Sequence, residues 1–229
     1  MVNTLPTPQN LVTDEWVRST WDKFLELCDP LRVSQGDRPD LERAKFYYDG
    51  GWMRIERVPT SAGHGHFHML LSQVVSLFGL FKTVRIKGFT GGSFRRAGLK
   101  ECQPDLAFYI AEEIPNPFPP KTTEPIDVEK FGAPTLAIEI SASTLNDDLG
   151  KKRLLYERFG VREYWVVDVQ SAIVTAFAVA DGGSRQIQVS QVLPGLSMRT
   201  IEEALQRNQT EDDTAVNHWL MQQFQTVAS

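Results

Sequence analysis

Apolar residues recur along this chain in two rhythms, and the rhythm changes several times between the ends. In "SAGHGHFHMLLSQVVSLFGLFK" (61–82), Phe67, Leu70, Leu71, Val74, Val75, Leu77, Phe78 and Phe81 fall three and four residues apart. That spacing lays a broad apolar stripe along one helix face, with Ser61 placed to cap it. "TDEWVRSTWDKFLELC" (13–28) predicts a second amphipathic helix from Thr13, through Trp16, Val17, Trp21, Phe24, Leu25 and Leu27; polar "VSQGDRPD" (33–40) ends it.

Between and after these helices the pattern tightens to short β-rich runs. "AKFYYDGGWMRIERV" (44–58) reads as a hairpin around Asp49-Gly50-Gly51. "TVRIKGF" and "SFRRAGL" read as strands joined at Thr90-Gly91-Gly92, followed by the strand "PDLAFYI" (104–110) and a proline-rich loop over 114–125. "TLAIEIS", the helix "LNDDLGKKRLLYERFG" and "EYWVVDV" then make a β-α-β unit, whose crossover favours parallel pairing. "AIVTAFAVA" and "RQIQVSQV" suggest a hairpin across Asp181-Gly182-Gly183, and the tail carries one or two closing helices. The expected architecture is one α/β domain over 44–229 with a helical N-terminal extension over 1–43.

Composition adds mainly exclusions. The 229 residues are 41% hydrophobic and 23% charged, as in ordinary globular proteins. No apolar run is long enough to span a bilayer, and the N-terminus has no basic start leading into an apolar core, so no secretory signal is expected. Cys28 and Cys102 have no metal-ligand spacing, which points to a reduced, cytoplasmic setting. A net charge of −5 speaks against a uniformly cationic nucleic-acid binder. A local basic cleft remains open, because 82–100 and 150–162 are both rich in Lys and Arg.

The candidate chemistry lies in two acids. Asp105 opens one apolar run and Glu139 sits inside another, where an uncompensated carboxylate is costly. Two carboxylates and a main-chain carbonyl suit a hard divalent cation, and a nearby lysine can stabilise charge on a phosphate. Taken singly, Asp105 could instead cap a turn, Glu139 pair with an arginine from 153–162, and Lys152 be solvated.

"PD", then "EIS" on the next strand, then "NDDLGKKRLLYERFGVREYWVVDV" resembles the PD-(D/E)XK restriction-endonuclease superfamily. Within it, the sequence is similar to the Uma-type endonuclease family, formerly a domain of unknown function, over about residues 44–196. The resemblance implies a restriction-endonuclease-like core, a mixed β-sheet flanked by helices. It implies Mg²⁺ or Mn²⁺ as cofactor, Asp105 and Glu139 as metal ligands, and Lys152 as catalytic lysine with both acids. The usual lysine two residues after the glutamate is replaced by Ser141, so the resemblance moves that role to Lys152; Lys151 lies about 100° round the helix. His64, Gln103 and Ser141 are accessory candidates, and Asp147 and Asp148 read as helix N-terminal acids. DNA is the implied partner, with a homodimer expected if both strands are cut. The competing readings are a non-catalytic nucleic-acid- or protein-binding module and a hydrolase of a small phosphorylated ligand.

Overall fold

The computed structural model describes residues 12–28, 41, 44–57 and 62–226, with the side chains of 62–64 and 226 outside the description. Ser61, the turn expected over 33–40 and the His64 side chain therefore lie outside the described residues. Two six-stranded sheets form the body. The first has the order β1-β3-β2-β6-β5-β8, from Trp16–Arg18 (β1), Ala44–Asp49 (β2), Trp52–Arg57 (β3), Phe94–Arg96 (β5), Lys100–Cys102 (β6) and Ile126–Asp127 (β8). The second has the order β12-β11-β10-β9-β7-β4, from Ile86–Thr90 (β4), Leu106–Ile110 (β7), Leu136–Ser141 (β9), Glu163–Asp168 (β10), Ile173–Ala180 (β11) and Gly183–Ile187 (β12).

The predicted β-α-β unit is present: β9 and β10 pair in parallel, while β7 runs antiparallel to β9 and makes the sheet mixed. The hairpins β2–β3 and β11–β12 also form where the turn residues place them. Some expectations change. The 90–92 turn does not close a hairpin; it carries the chain from β4, paired to β7, across to β5 in the other sheet. The N-terminal helix starts only at Trp21 (α1, Trp21–Cys28), because Trp16–Arg18 is drawn into the first sheet against β3.

The long helix α2 (Ala62–Lys82) covers one face of the second sheet, together with α6 (Met198–Arg207) and α7 (Asp213–Thr226). Leu70, Leu71, Val74, Val75 and Phe78 are all buried there, as the stripe predicts. The close approach is set partly by Gly79, where a Cβ would meet Ile86 Cδ1 at 2.4 Å and the Val84 carbonyl at 3.0 Å. A single turn, α3 (Val128–Phe131), follows β8 and is capped by the Asp127 carboxylate, which accepts the Glu129 N–H. The opposite face of the second sheet meets the first sheet and α5 (Arg153–Phe159), through Ala107, Tyr109, Ala137, Tyr47 and Tyr156. Side chains alternate along a strand, so Asp105 and Glu139 share the faces of Ala107 and Ala137 and point into this seam.

The helix expected over 145–160 is interrupted. A short α4 (Leu145–Asp147) leads into a π turn over Asp148–Lys152, with Gly150 outside helical geometry, before α5 resumes. The widened turn rotates the remainder of the helix: Leu155, Tyr156 and Phe159 face inward, while Leu154, placed on the apolar stripe by an unbroken periodicity, is exposed. Gly160 closes α5 in the left-handed conformation.

Candidate active site

Asp105 sits one residue before β7, where the ladder to β9 stops at the Leu106–Ile138 pair. Its Oδ2 accepts the Ile140 N–H at 2.8 Å, so the carboxylate replaces the next ladder acceptor and is fixed against β9. Oδ1 receives the Lys45 ammonium at 2.7 Å and has His68 Nε2 at 3.0 Å. Glu139, from the middle of β9, is likewise buried. Its Oε1 accepts from Tyr156 at 2.6 Å and Tyr47 at 3.0 Å, and its Oε2 from Lys45 at 3.3 Å. The two acids therefore converge on one point, and the Lys45 ammonium stands at it.

Lys152 is fully buried rather than solvated. It pairs with Glu56 at 2.6 Å and Asp148 at 2.8 Å, lies 3.9 Å from Glu139, and rests 4.5 Å from the Tyr47 ring centroid. The π turn brings it there by directing Lys152 inward while Lys151 stays exposed. Asp148 accepts hydrogen bonds from Ser141 and, at 2.6 Å, from Thr144, so it is a network member and not only a helix-start acid. Ser141 thus holds Asp148, the partner of Lys152. Gln103 braces the seam by accepting from the Phe46 N–H and donating to the Gly91 carbonyl, and its own carbonyl accepts from Tyr47. Asp168, placed at the strand edge, accepts from the Gln170 and Ser171 N–H groups and stays outside the network.

Burial and charge set the protonation of these groups. Burial pushes Glu139 up to about 8, with Lys152 and Lys45 pulling it down and Asp105 adding to the rise. For both lysines burial favours the neutral amine, but the surrounding carboxylates outweigh it and hold each above the ordinary lysine value. Burial also works to raise Glu56, where Lys152 and Lys45 win and hold it below the usual carboxylate range. Tyr47 and Tyr156 are pushed well up, by burial first and by Glu139 second, and stay phenolic donors. Burial raises Asp147, against the pull of Arg54 and Trp16.

The sequence reading missed Lys45, Tyr47 and Glu56, and gives His68, one of the histidines of α2, no role. The first three come from the β2–β3 hairpin, far along the chain from the acids. The available signal was period-2 alternation, which puts Lys45 and Tyr47 on one face of β2 in an otherwise apolar strand.

A family model described as "Uma2: Putative restriction endonuclease" matches residues 21–216. The chain belongs to the Uma2 family. A crystal structure described as a putative nuclease belonging to DUF820 from Anabaena variabilis has a similar fold, with a TM-score of 0.50 and 19% identity. That likeness covers 82% of this chain and 99% of the other. No curated protein matches. Among the described residues of this Uma2 chain, no three His, Cys, Asp or Glu side chains are clustered to hold a metal ion. Two convergent carboxylates still suit Mg²⁺, which commonly takes one or two from the protein and keeps several waters. The Uma2 site fits such an ion on one condition, that the Lys45 ammonium leaves the point where the acids meet. Among the described residues, no helix is long and apolar enough to cross a membrane.

Proposed function

We propose that this protein is a divalent-metal-dependent endonuclease that hydrolyses DNA phosphodiester bonds. The supporting observation is the convergence of Asp105 and Glu139 on a single cation position, filled by Lys45 at 2.7 and 3.3 Å. Asp105 and Glu139 would hold Mg²⁺ or Mn²⁺, which supplies Lewis-acid polarisation and an activated water when bound. Tyr47 and Tyr156 orient the Glu139 carboxylate by donating to one oxygen and leaving the other toward the ion. Lys45, once out of the cation position, supplies positive charge to the phosphate as negative charge builds there. Lys152 is held protonated among carboxylates, so its part is electrostatic rather than that of a base. It positions Glu56 and Asp148 around the acids.

The test is relaxation of supercoiled plasmid by the purified protein with Mn²⁺, beside Glu139→Gln. Nicking that needs both Mn²⁺ and Glu139 is expected; nicking by the variant at the wild-type rate would refute the assignment. The same ammonium favours a second reading, in which Lys45 permanently replaces the ion and the chain is a non-catalytic binding module. DNA binding with no Mn²⁺-dependent nicking would select that reading.

A further inference from the structure

One face of the first sheet serves two places. The register sets Trp16 opposite Arg54, Arg18 opposite Trp52, Asp49 opposite Trp52 and Lys45 opposite Glu56. Lys45, Tyr47 and Glu56 occupy the inner end of that face, within the buried network. Trp16, Arg18, Asp49 and Trp52 occupy the outer end, which the proposed chemistry does not use.

At the outer end a cavity of about 250 Å³ opens between Trp16, Asp49 and Trp52 on the sheet and Lys151, Leu154 and Arg158 on the helix above it. Trp52 is 37% exposed, so part of its ring is open to solvent. The Arg18 guanidinium lies over its ring, 4.2 Å from the centroid, and the Lys151 ammonium lies over it at 5.2 Å. Neither Arg18 nor Lys151 forms an ion pair among the described residues, while Arg158 pairs with Asp49 at the mouth. In a chain of net charge −5 this is a local concentration of positive charge around an indole. A neighbouring groove of about 580 Å³ shares Trp16 and Lys151 and continues past Asp14, Glu15, Arg54 and Asp147 to Thr144. Thr144 donates to Asp148, the partner of Lys152, so the groove reaches the rim of the buried network.

We propose that the Trp52 cavity binds an unpaired nucleotide of a nucleic-acid strand, its base stacked on the indole and its flanking phosphates on Arg18 and Lys151. The partly exposed indole offers a π face to a base that displaces the Lys151 ammonium from over the ring toward a flanking phosphate, and cations without acid partners among the described residues call for an anion; a nucleotide supplies both. A paired base has its faces covered by its neighbours, so the platform selects single-stranded or locally opened nucleic acid. The volume lies just below the range of about 300–1,000 Å³ typical of larger ligands, which suits one ring system. Strand rise puts Trp52 about 13 Å from Glu56 on the same strand face, so a bound strand lies within a few nucleotides of the acids. This inference rests on the nuclease reading only for what the strand does next.

The test is therefore binding without cleavage: anisotropy of a labelled oligothymidylate and of a labelled hairpin duplex, in EDTA at low salt. The wild type should prefer the single strand. Trp52→Ala should weaken single-strand binding by about tenfold or more while changing duplex binding by less than about twofold, and Trp52→Phe should retain most of the affinity. Lys151→Ala should reduce the salt dependence of single-strand binding by about one phosphate contact. Unchanged single-strand affinity in Trp52→Ala, or equal losses on both ligands, would overturn the proposal. Trp52-dependent binding without plasmid nicking would leave this site standing and remove the nuclease reading; nicking with Trp52-independent binding would do the reverse.

Discussion

Glu139 accepts from two phenols and lies against two ammonium groups, yet burial still leaves it close to titration in the neutral range. Its folded value of about 8 lies above the ordinary 4.5, so the folded state binds a proton there that the unfolded state releases. The stabilisation is complete below about 4.5 and is lost as pH rises through about 8. In EDTA, the difference in melting temperature between wild type and Glu139→Gln should therefore shift in the variant's favour across that window. A constant difference would mean that Glu139 stays ionised throughout. Lys152 leads to a separate expectation. Its position against Glu56 and Asp148 means that Lys152→Ala takes a cation from both buried carboxylates and leaves Glu56 paired with Arg54 at 3.1 Å, at a cost of about 3–5 kcal/mol. Thermal unfolding checks this, and an unchanged melting temperature would contradict the buried network. Asp105 and Glu139 stood out in the sequence because charged residues interrupt apolar runs. Their partners did not, because hydrophobic periodicity carries no information about which lysine crosses from another sheet.

Among the elements, α2 was the most legible, since a stripe of Leu, Val and Phe at helical spacing has one way to be buried. Leu71 is fully enclosed, so Leu71→Ala should cost about 2–5 kcal/mol in denaturant unfolding. A cost below about 1 kcal/mol would show that the helix does not seal the sheet. The α4–α5 segment was legible only in part. Residues 145–160 read as one helix by pattern, and nothing in the pattern marks a π turn apart from Gly150 within it. The turn matters because it directs Lys152 into the seam, exposes Leu154, and leaves Lys151 facing Trp52. Lys152, expected beside the apolar stripe of the helix with its ammonium reaching the strand end that carries Glu139, is fully enclosed there, so its removal becomes costly to stability.

At the level of the whole molecule, the site belongs to neither sheet alone. The second sheet contributes both acids, the first contributes Lys45, Tyr47 and Glu56, and α5 with its π turn contributes Lys152 and Tyr156. The β-α-β unit and both hairpins were readable from local turn chemistry. The division into two sheets was not, because the 90–92 turn looks the same whether the chain folds back or crosses over. The seam between the sheets makes a cation position with Lys45 in it, and the proposed activity requires that a metal ion can take that position. Calorimetric titration of Mn²⁺ into the metal-free protein, beside Asp105→Asn, measures this directly. The expected result is one saturable Mn²⁺ site per chain in the wild type and its loss in the variant. Identical titrations of the two proteins, or no binding by the wild type, would contradict a metal site at Asp105 and Glu139.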